Sequence, residues 1–326
     1  MSSASNQSAR IVDMLRTMHV IREFEEAAAQ AWRDGHVRGS VHQYVGQEAI
    51  AVGVCANLRT TDYVSSNHRG HGHSIAKGTD PIGMMKELFG RADGTCGGKA
   101  GSMHIADFSI GMLGANGVVA DGATIAVGAA QAIKILKQDR VAVPFFGDGA
   151  INRGPLMEAF NWARVYRLPV LFVCEHNGYA ATTRTADVTA GEGFVARAKS
   201  FDIAGEAVDG NDLAAVDAAA ERLVGRIRAG EGPAYLFATT YRHHGHFAHD
   251  KAGYRDAAEV DRWRELDPIT RCEAGLREHG LVAAEIETVA REAKALIARA
   301  VREAGESPWP LAGAALIDVQ DVGAPR

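Results

Sequence analysis

Two short apolar runs, residues 140–146 (RVAVPFF) and 168–174 (LPVLFVC), constrain this chain more than any other feature. Unbroken apolar runs of this length, without alternation, belong to strands buried on both faces. The stretch between them, 155–166, reads as a helix, with Pro155 suited to its first turn. Strand, helix and strand within about 35 residues is the length of one parallel crossover unit. Each run ends in a polar, glycine-bearing segment: Gly147-Asp148-Gly149 after the first, Glu175-His176-Asn177-Gly178-Tyr179 after the second. Ligands of open parallel sheets gather beyond the carboxyl ends of strands, so the crossover predicts that Asp148 and Asn177 face one site.

The remaining chain fits that frame. Residues 8–34 carry Ile11, Leu15, Met18 and Ile21 at helical spacing and stop at Gly35. A second helix is expected over 46–58. A helix over 211–229 leads to a strand over 234–241 (AYLFATTY), and 256–306 is charged and helix-forming with a boundary at Asp267-Pro268. From Pro308 onward Pro and Gly occur without periodicity, which predicts an extended arm. The class is α/β: a doubly wound, mostly parallel sheet flanked by helices, with helical additions at both ends. The net charge of -5 argues against a nucleic-acid partner. No window approaches 18 uninterrupted apolar residues, which argues against a membrane span, and the N-terminus has no apolar core of a secretory signal. Cys55, Cys96, Cys174 and Cys272 lie far apart and read as reduced thiols, so a cytoplasmic location is expected.

Asp148 is the informative residue of the first segment. The glycines beside it let backbone N–H groups approach an anion, and the following helix adds the positive end of its dipole. A carboxylate in that place repels a phosphate unless a cation sits between them. Asp and Asn oxygens, a backbone carbonyl and phosphate oxygens are the hard ligands that Mg²⁺ prefers. A dinucleotide-binding turn, with Glu175 as its ribose acid, is the rival reading. It lacks G-x-G-x-x-G and leaves Asp148 without a role. A plain structural turn also matches a lone Gly-Asp-Gly. Two further clusters, residues 67–73 (NHRGHGH) and 241–246 (YRHHGH), set an Arg beside several His residues. Arg offers a fixed fork of donors to phosphate, and His can donate or move protons near neutral pH. The same histidine spacing suits zinc, although an adjacent Arg repels a divalent cation. For His243 and His249 a solvated loop remains open.

With these residues set out, the chain resembles a known family. Gly-Asp-Gly, 27 residues and then Asn is similar to the thiamine-diphosphate motif. In order around it, GQEAIAVG (46–53), HRGHGH (68–73), GGKAGSMHIAD (97–107), ANGVVADG (115–122), GDGAINRG (147–154) and TTYRHHGH (239–246) resemble blocks of the alpha subunits of 2-oxo-acid dehydrogenases. The likeness runs from about residue 10 to 270, and HRGHGHSIAKG looks most like acetoin dehydrogenase alpha subunits. It implies a cofactor-binding domain over 1–270, with C-terminal helices and an arm over 271–326. It implies thiamine diphosphate and Mg²⁺ as cofactors, with Asp148 and Asn177 holding the metal by side chain and Tyr179 by its carbonyl. Arg69 and Arg242, with His68, His246 and the loop Gly147, Gly149 and Ala150, would bind the diphosphate, and Gly117 and Val119 the aminopyrimidine. His71 and His246 would be the catalytic histidines. The implied reaction cleaves acetoin, pyruvate or a branched-chain 2-oxo acid and passes the acyl unit to a lipoyl-bearing acyltransferase. The implied assembly is an α₂β₂ heterotetramer whose beta subunit supplies the glutamate that activates the cofactor. An inactive regulatory homologue is the non-enzyme alternative.

Several positions depart from the family pattern: Ala100 where Gly is common, Arg153 where Gln is common, His176 where Asn is common, and Asp121-Gly122-Ala123-Thr124 after the ANGVV block. Animal pyruvate dehydrogenase alpha subunits carry a serine directly after the last His of the YRxHGH block, and here that position is Phe247. Replacing Asp148 by Ala is expected to abolish metal-dependent cofactor binding and to leave the fold intact.

Overall fold

In the computed structural model, which describes residues 3–316, both apolar runs are central strands. The strands in chain order are β1 (Tyr63–Ser65), β2 (Met112–Gly114), β3 (Ala142–Gly147), β4 (Leu171–His176), β5 (Tyr179–Ala180), β6 (Thr183–Arg184), β7 (Ala204–Asp209) and β8 (Ala234–Thr239). Six of them form one parallel sheet in the order β2-β1-β3-β4-β8-β7, and β5 and β6 make a small antiparallel hairpin. Gly147 of β3 is in register with Glu175 of β4, and His176 with Thr239 of β8. The functional segments therefore leave the sheet side by side.

The element ends follow local chemistry. The crossover helix spans Gly154–Val165 with Pro155 in its first turn. Asp267 caps the helix Pro268–Glu278, accepting from the N–H groups of Ile269 and Thr270 at 3.0 Å each. The domain division expected at residue 270 thus falls inside a helix. The helix expected over 46–58 is shorter, Glu48–Cys55. Gly46 lies outside it with φ +97°, and a Cβ there would meet the Tyr241 carbonyl oxygen at 2.4 Å.

Leu15, Met18, Ile21 and Phe24 of the first helix, Ser3–Arg33, are fully buried. They share one apolar cluster with Ile286, Val289, Ile297 and Ala300 of the helix Ala283–Glu306. The C-terminal helices are thus packed onto the N-terminal one and complete its core. A second cluster, including Phe146, Phe160 and Phe172, fills the space between the crossover helix and the sheet, and a third lies on the opposite face. Of the expected C-terminal arm, Trp309 lies under the Arg91 guanidinium at 3.9 Å and residues Ala312–Leu316 form a short 3₁₀ turn. The rest of that arm lies outside the described residues.

Candidate active site

The carboxyl ends of β1, β2, β3, β4 and β8 converge on one cavity of about 570 Å³, a size suited to an organic cofactor. Asn67, His68 and Arg69 arrive after β1, and Gly117 and Val119 after β2. Gly147, Asp148, Gly149 and Ala150 arrive at β3, Asn177 and Tyr179 after β4, and Arg242 and His246 after β8. Every expected site residue except His71 lines this wall.

Asp148 is 1% exposed. Its Oδ2 accepts three hydrogen bonds: from His176 Nδ1 (2.8 Å), the Gly178 N–H (2.9 Å) and the Thr185 hydroxyl (3.0 Å). Its Oδ1 has no partner among the described residues. Asn177 is fixed by its own two bonds, since Nδ2 donates to Gln47 Oε1 at 2.9 Å and Oδ1 accepts from the Tyr179 N–H at 3.1 Å. Gly149 is close-packed, because a Cβ there would lie 2.9 Å from Ala180 Cβ. The loop holds a carboxylate oxygen, an amide oxygen and a backbone carbonyl at one end of the cavity.

The cationic side is built from both Arg/His clusters. Arg69 Nη1 donates to the Gln43 carbonyl, and its Nη2 to the His246 carbonyl at 3.0 Å. Burial, and then the nearby Arg242, lower the Arg69 pKa to about 9, which still leaves it protonated at neutral pH. Arg242 Nη2 donates to the Ala181 carbonyl (3.0 Å) and the Tyr254 hydroxyl (2.9 Å). His42, His68 and His246 meet with ligand atoms all within 4.8 Å of one another. Burial, and next Arg69, push His42 down to about 3 and His246 to about 4, and His68 is lowered by the same causes. All three rings are therefore neutral at pH 7. A zinc ion there would sit beside Arg69, whose Nη2 is 3.5 Å from His246 Nδ1, and that repulsion disfavours it. Three neutral imidazoles next to arginine suit hydrogen bonding to an oxyanion or a carbonyl.

His71 does not join them, contrary to expectation. It is 1% exposed, with Nδ1 on Glu25 Oε2 (2.9 Å) and Nε2 on the Ser102 hydroxyl (3.0 Å). Both ring nitrogens are engaged behind the wall, where the ring anchors the segment that carries Met103 to the cavity. His73 is likewise internal, on Glu175 Oε1 at 2.9 Å. His243 is buried beside Asp267 and is not a solvated loop residue, whereas His249 is exposed and stacks on Trp32. Sequence reasoning missed His42, Gln47 and His176. Gln47 stood within the GQEAIAVG block and His176 beside Asn177, while His42 carried no local signal.

A model of the dehydrogenase E1 component family matches residues 16–312. The chain belongs to the dehydrogenase E1 component family. It is 45% identical over 302 residues to the alpha subunit of acetoin:2,6-dichlorophenolindophenol oxidoreductase of Cupriavidus necator, covering 92% of this chain and 91% of that protein. The Bacillus subtilis protein of the same name is 43% identical over 310 residues, 94% and 92% of the two chains. The alpha subunit of the pyruvate dehydrogenase E1 component of Rhizobium meliloti is 39% identical over 297 residues, 90% and 85% of the two chains. As an E1 component the chain is part of an oxidoreductase. Among its described residues no helix is long and apolar enough to cross a membrane, and its four cysteines are free. Two departures from the family pattern have a structural place. His176 holds Asp148, and the Ala100 N–H donates to Glu87 Oε1 at 2.6 Å, among four backbone N–H groups gathered by that carboxylate.

Proposed function

We propose that this chain is the alpha subunit of a thiamine-diphosphate-dependent dehydrogenase that cleaves acetoin and delivers the acyl unit to a lipoyl carrier. The observation that carries the reading is Asp148, whose Oδ2 is saturated by three donors while its Oδ1 has no partner among the described residues, on a cavity wall that Asn177 shares. That donor set, with the Tyr179 carbonyl, is hard and anionic and fits Mg²⁺. Asp148, Asn177 and Tyr179 would hold the metal, and Arg69, Arg242 and the Gly149 and Ala150 N–H groups the diphosphate. When bound, thiamine diphosphate supplies a nucleophilic ring carbon and an electron sink for breaking the bond beside a carbonyl.

The chain's own residues then have separable tasks. Gly117 and Val119 offer backbone to the aminopyrimidine. The neutral His42 and His246 donate hydrogen bonds to the substrate oxygen and can carry its proton. Among the described residues, two carboxylates line the cavity, Asp148 and Glu175. The first is committed to the metal. The second is 1% exposed and accepts from the Tyr44 hydroxyl and His73 Nε2 at one oxygen. The acid that activates the aminopyrimidine is therefore assigned to a beta subunit, in an α₂β₂ heterotetramer served by a lipoyl-bearing acyltransferase. The higher identity to the acetoin enzymes favours acetoin, with pyruvate or a branched-chain 2-oxo acid as the second reading.

Calorimetry on the purified α/β complex tests the reading. Thiamine diphosphate should bind with Mg²⁺ and not with EDTA. Steady-state rates should be highest on acetoin, ahead of pyruvate and 3-methyl-2-oxobutanoate. Failure to bind with Mg²⁺ present refutes the cofactor assignment, and a faster rate on a 2-oxo acid refutes the substrate.

A further inference from the structure

The cavity carries three arginines, and they are not alike. Arg69 and Arg242 are 4% and 2% exposed, and their guanidinium groups are already bonded to protein oxygens. Arg153 lines the same cavity from an exposed position; its backbone N–H donates to the Ala150 carbonyl at 2.9 Å, but its guanidinium has no hydrogen bond or ion pair among the described residues. It lies three residues after Ala150 and is the N-cap residue of the 12-residue helix Gly154–Val165, without a side-chain cap bond. All five of its N–H donors are available at the rim of the phosphate-binding loop. Among the described residues the cavity wall holds three arginines against two carboxylates, with its three histidines neutral. A single positive excess points toward an anionic ligand.

The geometry points to Arg153 as a third arginine on the diphosphate, closing over it from the rim once the cofactor is seated. The inference rests on the thiamine diphosphate reading above and adds a residue to it. A planar guanidinium with no competing partner can take two phosphate oxygens side by side, which Gln at this place cannot match in charge or fork geometry. An exposed side chain also loses rotamer freedom on binding, so its contribution stays near that of one charge-assisted hydrogen bond, roughly ten-fold in affinity.

The test uses the α/β complex and calorimetry, with no turnover required. Thiamine diphosphate and inorganic pyrophosphate, each with Mg²⁺, and thiamine without phosphate are titrated into the parent and into Arg153→Gln and Arg153→Lys. Arg153→Gln should raise Kd about ten-fold for thiamine diphosphate and for pyrophosphate, and leave thiamine unchanged. Arg153→Lys should fall between, and the parent's advantage should shrink as salt is added. Equal affinity of parent and Arg153→Gln for pyrophosphate overturns the inference, as does an equal loss for thiamine, which indicates a general distortion of the cavity. If the parent itself does not bind thiamine diphosphate, the cofactor reading has failed, and that outcome is read before any variant.

Discussion

Replacing Asp148 separates metal binding from loop architecture, and the two substitutions of choice differ in a calculable way. Three donors converge on Asp148 Oδ2: a ring N–H, a backbone N–H and a hydroxyl, all within 3.0 Å. Asp148→Ala strands all three, the Thr185 hydroxyl in a fully buried place and the His176 ring and Gly178 N–H in partly buried ones. At about 1–3 kcal/mol for each fully buried unsatisfied donor, and less for the two that water can reach, the loss is at most about 9 kcal/mol. That is comparable with the whole stability of an ordinary domain, about 5–15 kcal/mol. The expectation that the alanine variant keeps the fold is therefore corrected. It should unfold at much lower urea or lose the order of residues 176–185. Asp148→Asn keeps an oxygen for the three donors, weakening them from charge-assisted to neutral at about 1 kcal/mol each. The fold survives, but the cation loses a unit charge. For a divalent ion at about 4 Å and an effective dielectric near 20, that is roughly 8 kcal/mol before the ion's rehydration offsets part of it, so a loss of at least about a thousand-fold in affinity is expected. Urea unfolding of both variants and Mg²⁺ titration of the α/β complex with thiamine diphosphate present would check this. An alanine variant with the parent's urea midpoint would refute the hydrogen-bond argument, and an asparagine variant with the parent's Mg²⁺ affinity would refute the metal assignment.

Three further outcomes are expected. Arg242→Lys keeps the charge but cannot hold the Ala181 carbonyl and the Tyr254 hydroxyl while meeting a phosphate, so calorimetry should show cofactor affinity reduced about ten-fold or more. Incubating the complex with ATP and a mitochondrial dehydrogenase kinase should leave activity intact, because residues 243–253 contain no hydroxyl; inactivation with phosphate incorporated between Tyr241 and Arg255 would contradict this. Stability should fall as pH drops from about 6.5 toward 4, since His42 and His246 titrate near 3 and 4 when folded and near 6.5 when unfolded. The unfolded chain then binds more protons in that window, and the sign is fixed. Urea midpoints of the cofactor-free complex at pH 7 and pH 5 read the effect, which His42→Gln should reduce; a midpoint that rises on acidification would overturn it.

Some of this protein was legible from local chemistry, and the limits follow the same logic. Strands β3, β4 and β8 are continuous apolar runs, and each is nearly fully buried, so pattern and environment agree. β1 and β2 have three residues each and β7 is an exposed edge strand, too short or too polar to leave a pattern. The order of the strands could not be read, yet the reading needed only that β3 and β4 be neighbours, which a single short crossover favours.

The site divides in the same way. Gly147-Asp148-Gly149 and Asn177 were determined by the sequence alone, because strand ends and a loop carboxylate are local facts. The role of each histidine was decided by tertiary structure. His68 and His71 are three residues apart, yet one faces the cavity and the other turns inward to Glu25 on the first helix. His42 had no motif at all and enters the site only because its loop packs against residues 68 and 246. A ring's protonation state and task depend on which partners the fold places within a few ångströms of it, and those partners come from distant parts of the chain.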